Sequence, residues 1–155
     1  MSDEIIFHHY DVSPFSEKVR VVLGIKRLSW HAVEQPVIMP KPDLVCLTGG
    51  YRKIPVLQIG ADIYCDSQMI IRELDRRFPD SALPDGELPG ATGLGYPLGF
   101  WTDREVFQAA VAIIFGGIGD HVDESFKKDR EALTGRPFDT EQMKQAVPPM
   151  TEQMR

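Results

Sequence analysis

Cysteine is scarce in this chain: Cys46 and Cys65 are its only two in 155 residues. They form no C-x-x-C pair, which excludes a disulfide scaffold and a zinc knuckle and points to a reducing compartment. Basic residues are also short, 17 Lys and Arg against 23 Asp and Glu, a net charge of −6. No basic face for nucleic acid is expected, and an anionic membrane surface would repel the chain. No apolar run approaches the roughly 18 residues of a membrane helix. The opening Met1-Ser2-Asp3-Glu4 is acidic where a signal peptide would be basic, so the expected location is the cytoplasm. A glycine loop for phosphate is missing too, because Gly90, Gly93 and Gly95 follow no strand.

What remains is the mix of a globular protein, 43% apolar and 26% charged. Proline and glycine cluster between Leu83 and Gly99, which marks a linker. Upstream, strand-length apolar runs alternate with helical patterns; downstream only helical periodicity is found. The predicted organisation is an α/β domain over 1–82, a linker over 83–99 and an all-α domain over 100–155.

Ile5 to Tyr10 is β-branched and aromatic and predicts a strand. Phe15, Val19, Val22 and Leu23 then recur at helical spacing, with Ser13 and Pro14 suited to the N-cap and first turn. A strand is expected over Trp30–Glu34, then a Pro-interrupted stretch from Pro36 to Gly50 with one short helix. Val56–Ile59 and Asp62–Cys65 flank Gly60-Ala61 as a hairpin. Ile70, Ile71, Leu74 and Phe78 mark a helix opened by Asp66-Ser67 and ended by Pro79. Beyond the linker, Phe107, Val111, Ile114, Phe115 and Ile118 form an apolar stripe in need of a cover. Further helices are expected from about Val122 to Leu133 and from Asp139, the last interrupted by Pro148-Pro149. Lys127 to Glu131 reads as a solvated helix face.

The order β-α-β-α-β-β-α is that of a thioredoxin-like domain, whose redox members carry C-x-x-C after the first strand. Here Ser13-Pro14-Phe15-Ser16 puts hydroxyls in both thiol positions, so disulfide exchange by the protein's own cysteines is not expected. A hydroxyl there can still serve a bound thiol. Taken alone, Ser13 is a helix cap, Asp66-Ser67 an ordinary cap, and Lys53 a surface lysine. His8 and His9 would point to opposite faces of a strand, and His31 and His121 have no ligand partner at metal spacing, so no metal is expected. Cys46 and Cys65 read as small buried hydrophobes.

Ser13 to Arg20, then Arg52-Lys53-Ile54-Pro55-Val56-Leu57, then Asp66-Ser67, resemble the N-terminal domain of glutathione transferases, with the tau and omega classes most similar. The resemblance spans residues 4 to 82. It implies glutathione as co-substrate, with the Ser13 hydroxyl bonded to its sulfur. Pro55 would be cis and turn the Ile54 backbone toward the cysteinyl part, Lys53 would meet the glycine carboxylate, and Asp66 and Ser67 would hold the γ-glutamyl end. Most members have Glu where Asp66 stands. Tyr10 competes with Ser13 as thiol activator, since other classes use a tyrosine near the end of the first strand.

The family's second domain supplies the electrophile pocket and much of a dimer interface. Phe15, Trp101, Arg104 and Phe107 are the candidate pocket wall, with core packing as their alternative role. The helical material here is shorter than the family's, as of a truncated or partial domain. Two readings follow: an enzyme of detoxification, homodimeric as the family implies, that conjugates glutathione to a hydrophobic electrophile; or a scaffold that holds glutathione without turnover.

Overall fold

The computed structural model describes residues 4–79 and 91–155. The chain divides into two compact units, Met1–Gly93 and Leu94–Arg155. In the first, strands β1 (Ile5–His9), β2 (His31–Glu34), β3 (Val56–Ile59) and β4 (Asp62–Cys65) alternate with helices α1 (Pro14–Ile25), α2 (Pro42–Leu47) and α3 (Ser67–Arg77). The sheet order is β2-β1-β3-β4, with β1 parallel to β2 and antiparallel to β3, and β3 antiparallel to β4. This is the thioredoxin-like arrangement, and the hairpin strands match their predicted bounds.

Strand alternation sorts the side chains. Ile5, Phe7, Leu57 and Ile59 join Val19, Val22 and Leu23 of α1 and Ile70 and Leu74 of α3 in one buried cluster. α1 is also tied to α3 at its C-terminal end. There the buried Lys26 ammonium lies 2.6 Å from Asp75 Oδ1 and donates to the Phe78 carbonyl at 3.2 Å. β2, exposed at all four residues, is an edge strand.

The second unit is helical, continuing from α4 (Ala91–Trp101) through a π-helical turn (Thr102–Val106) into α5 (Phe107–Ile118). A 3₁₀ turn (Gly119–His121), α6 (Glu124–Thr134) and α7 (Thr140–Gln153) follow. Three sequence expectations change here. Of the expected linker over 83–99, residues 83–90 lie outside the described residues, and from Ala91 the chain is already helical despite its glycines and Pro97. Such residues lower helix propensity, by about 1 kcal/mol for each glycine and about 3 for the proline, without forbidding a helix. α7 runs through Pro148 and Pro149 rather than stopping. Both prolines are exposed, so the carbonyls left without their N–H groups can be hydrated. Asp129, expected on a solvated face, is buried beside Arg130 Nη2 at 3.2 Å.

The expected apolar stripe of α5 is only partly the covered one. Ile114 and Ile118 remain about half exposed, while the buried residues are Ala109 and Gly116. Phe115 turns instead into an aromatic group with Phe126 of α6 and Phe138, at centroid distances of 5.8 and 5.2 Å. α7 crosses α5 at its glycines. A Cβ on Gly116 would stand 2.6 Å from Val147 Cγ2 and 2.9 Å from the Met143 carbonyl oxygen, and one on Gly119 2.7 Å from Thr140 Cγ2.

Gly116→Ala should therefore destabilise the helical unit by about 1–3 kcal/mol, because backbone must move to admit the methyl. Gly117→Ala, with open space at that position, should be neutral or stabilising by about 0.5–1 kcal/mol. Urea unfolding of the two variants checks this; equal effects would show that the crossing is loose.

Candidate functional site

The register brings three chain segments to one end of the sheet. His8 pairs with Val56, and Val56 with Cys65, so these residues form a row across β1, β3 and β4. Because the strands alternate in direction, the residues just beyond that row all lie at the same end. These are the turn leaving β1, Ile54-Pro55 entering β3, and Asp66-Ser67 leaving β4.

Ser13 caps α1 there. It is only 3% exposed, and its Oγ accepts the Ser16 N–H at 3.2 Å. Pro14 occupies the first helical turn, and the Ser13 N–H donates to the Tyr10 carbonyl at 3.2 Å, closing the turn. With one lone pair so engaged, the hydroxyl retains its proton for donation. The positive end of α1 lies beside it.

Ile54–Pro55 is a cis peptide. Pro55 is buried, Ile54 half-buried and Lys53 exposed. Asp66 caps α3 by accepting the Gln68 N–H at 2.7 Å, in a backbone conformation of φ 78° and ψ 129°. Side chains rarely adopt positive φ, so this is a locally strained residue of the kind found where a ligand or catalytic group must be held. Ser67 behind it is buried at the first position of the helix.

Neighbours the sequence did not single out complete this end. Lys41, buried at the start of α2, stands 5.3 Å over the Tyr10 ring. Burial pushes the Tyr51 phenol up to about 12, with the Asp66 charge and Cys65 adding to it. Burial, then the Asp66 charge, raises the Cys65 thiol, which favours its protonated form. Cys46, expected to be buried, is exposed on α2, because a six-residue helix has one inward face and Leu44 takes it.

The end of β1 is latched to α1. Arg20 donates from Nη1 to His9 Nδ1 at 2.9 Å, from Nη2 to the Asp11 carbonyl at 2.9 Å, and from Nε to Glu17 Oε2 at 2.7 Å. A guanidinium only donates, so His9 Nδ1 is the acceptor and the ring proton sits on Nε2. The ring stacks on Phe7 at 5.0 Å and meets Trp30 edge-on at 5.7 Å. Burial and then Arg20 lower the His9 pKa against the smaller opposing effects of Asp11 and Glu34. No sequence periodicity marks this latch, since its members lie on a strand, a turn and a helix.

Residues 7–82 match the family described as glutathione S-transferase, N-terminal domain. These residues are a glutathione S-transferase N-terminal domain. The chain is similar to glutathione S-transferase U25 of Arabidopsis thaliana, 27% identical over 135 residues that make up 86% of this chain and 60% of that one. A solved glutathione S-transferase-like protein from Pseudomonas syringae is 48% identical, with a TM-score of 0.63 over 72% of this chain and 40% of its own. A glutathione S-transferase from Methylobacillus flagellatus, solved with glutathione bound, is 25% identical, with a TM-score of 0.62 over 97% of this chain and 68% of its own. The chain thus spans 60% of the length of the first of these relatives and 40% of the second.

Of the candidate pocket residues, only Phe15 belongs to the glutathione S-transferase domain, half-buried in the first turn of α1. Trp101, about half exposed, ends α4 in the second unit. Arg104, in the π-helical turn, has its guanidinium 4.2 Å over the Phe100 ring, and Phe107 opens α5. His8 and His9 do face opposite sides of the sheet: His9 stacks on Phe7 in the core layer, one residue from His8. His31 pairs with Glu4 at 3.0 Å. Among the described residues no helix is long and apolar enough to cross a membrane.

Burial lowers the pKa of His8 as well as of His9, which favours the neutral ring of each in the fold. Their contribution to stability is complete above about pH 6.5, the value of an unfolded histidine, and is lost as pH falls through the lower folded values. Glu73, held down to about 2 by Arg76 and Arg77, acts in a separate, more acidic window. The urea midpoint should drop as pH falls below about 6.5, and His9→Asn should flatten that slope whatever it does to the midpoint at neutral pH. An unchanged slope would remove His9 from the account.

Proposed function

We propose that the chain binds glutathione at the Ser13 end of the sheet and activates its thiol for attack on a hydrophobic electrophile. The observation that carries this reading is the buried Ser13 hydroxyl at the N-terminus of α1, its oxygen occupied by the Ser16 N–H and its proton free to donate. Lys53 serves the glycine carboxylate, the Ile54 backbone next to cis-Pro55 pairs with the cysteinyl part, and Asp66 and Ser67 hold the γ-glutamyl end at the positive terminus of α3. Oxygen and N–H donors of this kind suit a peptide with two carboxylates and one ammonium.

A thiol of pKa near 8.5 is only about 3% ionised at pH 7; lowering it by 2 units makes it roughly 75% thiolate. That shift is about 2.7 kcal/mol. A hydrogen bond to a charged group contributes about 1.5–3 kcal/mol and a helix N-terminus about 0.3–1, so together they suffice without a general base. The thiol proton leaves to solvent, the thiolate sulfur forms a bond to the electrophilic carbon, and the leaving group departs as its anion. Tyr10, half-buried beneath Lys41, takes no part. Phe15, half-buried in the first turn of α1, is the residue of this domain proposed to receive the electrophile.

The absorbance of glutathione thiolate in the presence of the protein, followed from pH 5 to 9 (about the range that brackets the expected shift), tests the reading. The wild type should titrate well below the free thiol and Ser13→Ala about 1–2 units higher, the helix terminus being left in place. The variant should also lose about 1 kcal/mol of stability as a cap is removed, and turnover of a chlorodinitrobenzene at about pH 7 should fall with the thiolate fraction, by up to about 25-fold. A titration unmoved by the substitution would sink the Ser13 mechanism. A depressed thiol without turnover of any electrophile would make the protein a glutathione binder.

A further inference from the structure

We propose that Arg20 is a positioning residue for thiol activation, holding the Ser13 turn in register through a three-way fork to His9, the Asp11 carbonyl and Glu17. The inference rests on the reading of Ser13 above and adds a residue that does not itself touch the peptide. Its basis is geometric. Arg20 lies two turns into α1, a helix whose cap is Ser13, yet two of its three donors leave the helix for the chain that precedes that cap. Nη2 reaches the Asp11 carbonyl, two residues before Ser13, and Nη1 reaches His9, the last residue of β1. Glu17, in the first turn, accepts Nε at 2.7 Å and also lies 2.7 Å from Nη2, which fixes the plane of the fork.

The turn from Tyr10 to Ser13 has one internal bond, Ser13 N–H to the Tyr10 carbonyl. Its middle is otherwise exposed, with Val12 at 76%, so little packing resists a shift of the segment. Only a planar guanidinium serves three acceptors in three directions at once; an ammonium is a point charge that would choose among them. A displacement of about 1 Å in such a group costs on the order of 100-fold in rate. The fork therefore acts on where the Ser13 hydroxyl lies, and so on how far the bound thiol is depressed, while the segments that hold the rest of the peptide stand on other elements.

The test uses the full chain and glutathione itself as the probe. Arg20→Ala should raise the titration midpoint of the bound thiol by about 1 unit or more, which is tenfold in thiolate at low pH, with glutathione affinity below the wild-type midpoint, where the thiol is bound protonated in both proteins, changed less than about threefold. Arg20→Lys keeps the charge and should behave like Arg20→Ala. His9→Asn, which offers an acceptor near the Nδ1 position, should stay close to wild type, and His9→Leu should follow Arg20→Ala. Far-ultraviolet circular dichroism shows that each variant is folded, and the His9 pair carries the test if Arg20→Ala is not. A wild-type midpoint with Arg20→Lys would make the effect one of charge, and unmoved midpoints with lowered melting temperatures would make Arg20 structural; either overturns the proposal. If the wild type itself shows no depressed thiol, the function proposed for Ser13 fails and this inference with it, an outcome distinct from a depressed wild type whose variants match it.

Discussion

The antiparallel register of β1 against β3 is the constraint on which the first unit depends. Phe7 faces Leu57 and Ile5 faces Ile59, all within the buried cluster, and full burial of each such side chain is worth about 1.5–3 kcal/mol. A slip of one residue would turn Ile6 and His8 toward α1 and α3 and expel Phe7. The same register sets Val56 beside His8 and Cys65, and thereby puts Pro55, Asp66 and the turn to Ser13 at one end. The core and the site are thus two consequences of one pairing. Core packing penalises any register that would separate the three segments.

Two helices, α1 and α3, begin at that end, each capped by a side-chain oxygen, Ser13 and Asp66. Their positive termini converge in a chain of net charge −6. The overall field therefore does not gather anions, and screening confines it to about a Debye length in any case. Attraction for a carboxylate or a thiolate comes from local N–H groups and hydroxyls, which act only within hydrogen-bond distance. Such a site discriminates by placement rather than by charge. The position of each cap then matters more than the number of basic residues nearby.

What could be read in the sequence was local. The hairpin of β3 and β4 was legible because two alternating runs flank a short Gly60-Ala61 loop, and α1 because Ser13-Pro14 precedes a clean stripe. The three site motifs were legible as segments, since each carries its own turn or cap chemistry. What was not legible leaves no periodic mark in the sequence. Helix α4 forms through Gly95, Pro97 and Gly99 where composition alone indicates a linker. α7 meets α5 at Gly116 and Gly119, whose value lies in what they lack, while apolar periodicity pointed to Ile114 and Ile118. Asp129 in its charged run and the fork of Arg20 show the same limit. A charged residue's partner across 9 or 11 positions leaves no periodic trace.

His9 shows why core and site meet at a particular residue type. Its ring lies flat on Phe7 and edge-on to Trp30, the role of an aromatic, while Nδ1 accepts from Arg20, the role of a polar group. Phenylalanine would supply the stacking and leave a guanidinium N–H without its acceptor, and a half-satisfied buried donor costs about 1–3 kcal/mol. Asparagine would supply the acceptor and forfeit the stacking, worth about 0.5–1.5 kcal/mol beyond area burial. Neutral histidine does both, and only while neutral, since a proton on Nδ1 would face the cation that now donates to it. Burial, which lowers the His9 pKa, therefore keeps the latch closed at neutral pH. Acid strains the aromatic layer and the turn before Ser13 through one and the same protonation.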